Sequence, residues 1–322
     1  MALSTKAINR RIKSVKNTKK ITKAMEMVAA AKMRKSVEAV LQTRTYAKLA
    51  WELLVNISQK EKQTVPLLTA RPVSKMLVVL ITSNRGLCGS FNAGIIKKLA
   101  KQLQDPQHIA RHKGDEEKTE VAEENITIDL ISIGKKGAEF AKREGYNLVA
   151  AFTDLPDTPS LADILPVTTL CIGAYQKEEY DKVVVAYTDY KSVVVQNPKL
   201  RQVLPVSEHD LEDMIHDLGK HGDGGKVKSE KVVAQNMSEY LFEPSKTEVL
   251  TEILPHLVET QVLQALLESS ASEHSARMMA MRNASESATD MIAELTLRFN
   301  KARQAGITQE IAEISSGAAA LE

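Results

Sequence analysis

Ile12-Lys13-Ser14-Val15-Lys16-Asn17-Thr18-Lys19-Lys20-Ile21-Thr22-Lys23-Ala24-Met25-Glu26-Met27-Val28-Ala29-Ala30 contains neither proline nor glycine, and the whole 65-residue start of the chain has none either. All ten prolines and twelve of the fourteen glycines fall between Pro66 and Pro255, and the 67 residues after Pro255 hold only Gly306 and Gly317. Proline costs about 3 kcal/mol inside a helix and glycine about 1, so both ends read as long helices. At ~1.5 Å per residue, each could form a rod of roughly 80 Å, against about 11 or 12 residues for an ordinary globular helix. A rod of that length serves assembly or mechanics more often than catalysis.

Outward from that stretch, Ile8, Ile12, Val15, Ile21, Met25, Val28 and Val37 recur at spacings of three, four or their sums, with Thr18 and Thr22 in the gaps. This pattern predicts one apolar stripe on a helix, and Ser4 or Thr5 suits its N-cap. In the last arm, Met281, Ala284, Ala288, Met291, Leu295, Ala302 and Ala305 form a second stripe, with residues small enough to let another helix approach. A central domain whose ends lie close together can send out one helix and receive the other. The stripes therefore predict an antiparallel two-helix coiled coil formed by the N- and C-terminal helices. Arg298, Lys301 and Arg303 place a cationic patch on the last arm, and Gly306 and Gly317 weaken its final turns, which then need support from a partner.

Between the arms the period changes. Met76 to Thr82 is an apolar run of strand length, followed by the loop Ser83 to Asn92 and a helical pattern from Ala93 to Leu103. Ile126 to Ile133 repeats the plan through Gly134 and Gly137 into a helix near Ala138 to Arg143, and Lys182 to Thr188 reads as a buried strand after a helix beginning near Pro166. Alternating strands and helices predict a central Rossmann-like α/β domain with parallel neighbours. The fold expected is α/β with long helices: a shaft helix over 1–65, a central α/β foot over 66–246, and a second shaft helix over 247–322. Two polar stretches, Asp105 to Asn125 and His209 to Lys231, read as inserted surface loops near 105–125 and 207–235 with little fixed structure. Tyr240, Leu241 and Phe242 suit one more strand.

The net charge of +2 conceals a division. Residues 1–65 carry 15 Lys and Arg against 4 Asp and Glu, residues 66–255 carry 23 against 28, and residues 256–322 carry 5 against 9. Such a basic start suits a negatively charged partner or a solvated face. No aromatic is interleaved with those cations, because Tyr46 and Trp51 lie beyond them, so nucleic acid is not the expected partner. No apolar run approaches the ~18 residues needed to span a bilayer, and no signal peptide precedes the charged start. Cys88 and Cys171 form no CxxC pair, which suits a reducing compartment.

The loop Asn84-Arg85-Gly86-Leu87-Cys88-Gly89-Ser90 stands where phosphates are often cradled, but its glycines match neither GxGxxG nor the P-loop pattern. It reads first as a tight turn that leaves Arg85 for a subunit contact, as does the basic turn Gly134-Lys135-Lys136-Gly137, with phosphate binding the lesser alternative. Cys88 has no neighbouring His in sequence and reads as a structural thiol; a nucleophile would need a tertiary neighbour. The histidines show no paired-ligand spacing apart from His108 and His112 in the charged insertion, where solvent explains them. No catalytic residue, cofactor or metal is expected.

At these residues the chain resembles the γ subunits of F-type, proton-translocating ATP synthases. Ile12 to Ala30 is similar to that family's N-terminal helix. Ala302-Arg303-Gln304-Ala305-Gly306-Ile307-Thr308-Gln309-Glu310-Ile311-Ala312-Glu313-Ile314-Ser315-Ser316-Gly317-Ala318-Ala319 is similar to its C-terminal signature, and Arg85-Gly86-Leu87-Cys88-Gly89 to its central pattern. The resemblance implies a central-stalk rotor with no active site of its own. In it, the paired helices turn inside a ring of three α and three β subunits, while the central domain meets the ε subunit and the membrane c-ring. It also implies β-subunit contacts at Lys20, Lys23 and Met25 on the first helix and at Arg277, Arg303, Gln304, Thr308 and Glu310 on the last. Implied too is a peripheral place on the cytoplasmic face of a bacterial inner membrane, with a mature organellar chain as the alternative. The stretch from His209 lies where chloroplast relatives carry a redox-switch segment, but it holds no cysteine, so no thiol switch is expected. The rival classes are a coiled-coil tether or nucleic-acid-binding spacer, and a small α/β enzyme with helical arms.

Overall fold

The computed structural model describes residues 5–55, 65–110, 126–207 and 245–319. Their elements, in chain order, are α1 (Thr5–Val55), a 3-10 turn (Pro66–Leu68), β1 (Lys75–Ile81), α2 (Phe91–Leu103), α3 (Pro106–Ala110), β2 (Thr127–Ile133), α4 (Lys135–Glu144), β3 (Asn147–Phe152), α5 (Leu161–Gln176), β4 (Lys182–Tyr190), β5 (Gln196–Leu204) and α6 (Lys246–Ala319). Two compact units result: Met1–Ala30 with Arg277–Glu322, and Ala31–Ala276.

In the first unit, α1 and α6 pair antiparallel. Ile8, Ile12, Val15, Leu295, Phe299 and Ala302 form one apolar cluster, whereas Thr22 Oγ1 lies 2.7 Å from Ser285 Oγ, so later residues of α1 meet earlier residues of α6. The inward positions on α1 are Ile8, Ile12, Val15, Lys19, Thr22, Glu26 and Ala29, and on α6 they are Met281, Ser285, Ala288, Ile292, Leu295, Phe299 and Ala302. Steps of four and three alternate throughout both sets, which is the heptad period of a coiled-coil seam. The seam differs from the expected stripes. Ile21, Val28 and Met291 are 61%, 55% and 49% exposed, Thr18 and Ala305 are exposed, and Ala284 is only half-buried. Ile21 and Val28 each stand one residue, ~100° of helix rotation, before the true seam positions Thr22 and Ala29. A stripe drawn through the most apolar residues thus drifts off the contact line.

The second unit contains a five-stranded sheet in the order β3-β2-β1-β4-β5. The pairs β1–β2, β1–β4 and β2–β3 are parallel, as expected for a Rossmann-like layer, but β4–β5 is antiparallel. From β1, Leu77, Val79 and Ile81 pack on one face with Ile164, Val167, Cys171 and Tyr175 of α5 and with the run from Leu250 to Leu267 on α6. Met76, Val78 and Leu80 pack on the other face with Ile95, Leu99 and Leu103 of α2 and Phe140 and Ala141 of α4. A strand covered on both faces needs a continuous apolar sequence, which is why β1 was legible as a run rather than as an alternation.

Several expectations are corrected here. Strands β3 and β5 carried no clear signal: β3 is an edge strand with no fully buried residue, and β5 holds Pro198, Lys199, Arg201 and Gln202 at the opposite edge. Helix α5 begins at Leu161 rather than near Pro166, because Asp163 accepts hydrogen bonds from the Ser160 N–H and hydroxyl and so starts the helix earlier. Within the first expected loop, Pro106–Ala110 is helical, with Ile109 and Ala110 buried. Pro255 lies inside α6, where the full burial of Leu254, Leu257 and Val258 offsets its lost hydrogen bond. Glycines 306 and 317 do not end α6, whose bounds take in both. Ser4, His112, the strand expected at 240–242 and the stretches 111–125 and 208–244 lie outside the described residues.

Candidate functional site

The two glycine turns meet at the C-terminal ends of β1 and β2, the side of a parallel sheet where ligands commonly bind. Here the polar groups of the chain itself occupy that position. Asn84 Oδ1 accepts from the Lys135 N–H at 3.1 Å, the Ser83 carbonyl from the Lys136 N–H at 3.3 Å, and Thr82 Oγ1 from the Gly137 N–H at 2.8 Å. The first-turn donors of α4, which an anion would need, are therefore satisfied internally. Gly134 has φ +95, and a Cβ there would stand 2.2 Å from the Thr82 carbonyl oxygen; glycine serves this close approach, not a phosphate.

In the loop after β1, Asn92 Nδ2 donates to Ser83 Oγ at 2.7 Å and to Cys88 Sγ at 3.2 Å. Cys88 clusters with Phe91 and with Ala276 of α6, the packing of a structural thiol, while Arg85 is exposed. The shifted titratable groups lie away from this loop and have structural causes. Burial pushes the Cys171 thiol up to about 12. Burial also pushes the Tyr175 hydroxyl up to about 12, against the pull of Arg71. Tyr180 is raised by burial and then by its hydrogen bond to Asp129. Such groups stay protonated at neutral pH and are not poised for acid–base work.

The surface of the helix pair has a different character. Lys20 and Lys23 are exposed and Met25 is half-buried. Lys23 reaches Glu26 at 2.9 Å. These residues flank Thr22 and so stand level with Ser285. Arg303, Gln304, Thr308 and Glu310 are all exposed on the last turns of α6, with Thr308 Oγ1 donating to the Gln304 carbonyl at 3.0 Å. Arg277 is half-buried and not part of that group, since 26 residues of helix at ~1.5 Å each separate it from Arg303.

What the residue reading missed is the apolar share of this surface. Ile21, Met27 and Val28 on α1, and Met291, Leu297, Ile307, Ile311 and Ile314 on α6, are between 48% and 72% exposed. Ile307, Ile311 and Ile314 follow one helix face, and every described side chain from Ile307 to Gly317 is exposed. Large aliphatics repeated on an outer helix face mark a surface built to be covered. Their signal was present in the sequence as apolar residues that fall off the heptad seam.

Comparison with known proteins bears on what covers it. The family model described as ATP synthase matches residues 4–321. The chain is 40% identical to an ATP synthase gamma chain of Herpetosiphon aurantiacus, over 99% of both chains. It is 38% identical to one of Pelotomaculum thermopropionicum, again over 99% of both. Among solved structures, a chain of the Euglena gracilis mitochondrial ATP synthase aligns over 99% of this chain and 94% of that one, with TM-score 0.60 and 21% identity. A chain of the Tetrahymena thermophila mitochondrial ATP synthase central stalk and c-ring aligns over 82% and 99%, with TM-score 0.57 and 24% identity. At those identities the structural matches speak for the fold.

Proposed function

The chain belongs to the ATP synthase gamma-chain family, and on that premise we propose that it works as the central-stalk rotor, turning its paired helices inside a ring of α and β subunits. The observation that carries the reading is the exposed aliphatic face of Ile307, Ile311 and Ile314, together with the exposed cations Arg303 on the same helix and Lys20 and Lys23 on α1. Such a face has no use in a free monomer, and a surrounding collar of apolar walls with acidic segments suits it.

Lys20, Lys23 and Met25 on α1, and Arg277, Arg303, Gln304, Thr308 and Glu310 on α6, are the proposed contacts with successive β subunits. Exposed ion pairs contribute ~0–1 kcal/mol each, so cations of this kind attract an acidic segment without trapping the rotor at one angle. Torque then passes through stiff packing, with charge as a guide. The ATP sites lie on the partners. The sheet domain is the proposed foot, meeting an ε subunit and a c-ring; no described helix is long and apolar enough to cross a membrane. With bacterial relatives at 38–40% identity, a peripheral place on the cytoplasmic face of a bacterial inner membrane is the corresponding location.

Co-expression with the α and β subunits of the same source tests this. The chain should co-purify with them as a single copy per hexamer, and Ile311→Glu should lower that yield while leaving the circular dichroism of the isolated chain intact. A chain that stays free of the hexamer, or an Ile311→Glu variant that assembles normally, removes the basis of the reading.

A further inference from the structure

The loop of residues 153–160, between β3 and α5, is tied down at more points than a short connection requires. Asn84 Nδ2 donates to the Thr153 carbonyl at 2.7 Å, and at the other end Ser160 donates from its N–H and its hydroxyl to Asp163 at 2.7 and 2.6 Å. Between them, Asp157 Oδ2 accepts from Lys32 Nζ of α1 at 2.6 Å. Asp157 Oδ1 stands 3.7 Å from Nε2 of the buried His274 of α6, and the Asp157 carbonyl accepts from Ser270 Oγ at 2.6 Å. Ser270 Oγ in turn lies 3.1 Å from Ser36 Oγ, whose residue is fully buried. Lys32 and Ser36 are four apart on α1, and Ser270 and His274 are four apart on α6. One face of each helix thus converges on one aspartate.

From this convergence we infer that Asp157 is a positioning residue for torque transfer, fixing the sheet edge to both long helices at one level within the second unit. The inference rests on the rotor reading for its use, and on geometry for its existence. Apolar packing between the sheet and α6 resists separation but is non-directional. Hydrogen bonds and ion pairs have preferred angles, so they resist the small roll of a helix against the sheet that packing allows. Lys32 and Asp157 side chains are 41% and 54% exposed, so their pair adds little to stability. Its contribution is angular: it holds a third point, off the line where the two helices touch, and three points define an orientation where two define only an axis.

The test uses Asp157→Asn, Lys32→Gln, the double variant and Asp157→Glu. In the isolated chain, amide hydrogen exchange at Ser160 and Asp163, whose N–H groups are hydrogen-bonded where this loop ends, should speed up by about two- to fivefold in each single variant, as loss of an exposed ion pair implies. The double variant should be no faster than the singles, and Asp157→Glu should restore part of the protection. In the assembled ATP synthase, the single variants should move fewer protons per ATP hydrolysed at an unchanged hydrolysis rate and an unchanged Tm, with recovery in Asp157→Glu. Unchanged exchange overturns the joint itself; faster exchange with unchanged proton-to-ATP ratio overturns its part in torque transfer. Failure of the wild-type chain to enter the hexamer strikes the rotor reading instead, and the exchange data then judge the joint alone.

Discussion

Asp181 sits where two effects pull its carboxyl in opposite directions. Burial raises its pKa, but the N–H groups of Lys75 and Ser74, the Ser74 hydroxyl and the charge of Arg71 outweigh burial and leave it below the ordinary 3.8. Since the folded value lies below the unfolded one, the stabilisation is present above the unfolded pKa and is lost as pH falls through the folded pKa. Asp181→Asn should therefore lower the urea midpoint at neutral pH and approach the wild type as pH falls below the ordinary carboxyl value of 3.8. A loss that stays the same as pH falls from neutral to well below 3.8 would contradict that account. Nothing local announces this residue. Its partners Ser74 and Lys75 lie 107 and 106 positions away, and only the pairing of β1 with β4 brings them together. Arg85, by contrast, was legible as an exposed loop cation, because a glycine-rich turn after a buried strand leaves its charged residue nowhere else to go.

Within the elements, the instructive case is the α1–α6 seam. Thr22 and Ser285 are 8% and 7% exposed and share one hydrogen bond. Thr22→Val should leave the Ser285 hydroxyl buried without its cross-helix partner, costing ~1–3 kcal/mol, and Thr22→Val with Ser285→Ala should recover much of that. A double-mutant cycle by chemical denaturation measures it, and strict additivity would show that the bond contributes nothing to the pairing. That helices would form at both ends, and pair antiparallel, was readable from the missing breakers and the repeating spacings. The contact line was not, because Ala29 and Ser285, which the apolar stripes leave out, lie on it, while Ile21 and Val28 face outward. Hydrophobicity marks two surfaces on these helices, one covered by the partner helix and one left exposed, and periodicity alone merges them.

For the molecule as a whole, cutting the chain after Ala288 separates the parts of the proposed mechanism. The sheet domain and residues 246–276 of α6 keep all their contacts from the two large apolar clusters, so a cooperative thermal transition should survive. The truncated chain should couple ATP hydrolysis to proton movement poorly, measured as ATP-driven acidification of vesicles; undiminished acidification would defeat the shaft assignment. Length, breaker placement and the runs Met76–Thr82, Ile126–Ile133 and Lys182–Thr188 were enough to specify long terminal helices around a central α/β layer. They suffice because helix continuity and strand burial are local properties of backbone and side-chain type. Strand order, the antiparallel edge β5, the internal satisfaction of the α4 N-terminus and the convergence of Lys32, Ser270 and His274 on Asp157 came only with the folded chain. Each of those depends on groups distant in sequence meeting at bonding distance, and a residue type names a donor or an acceptor without naming its partner.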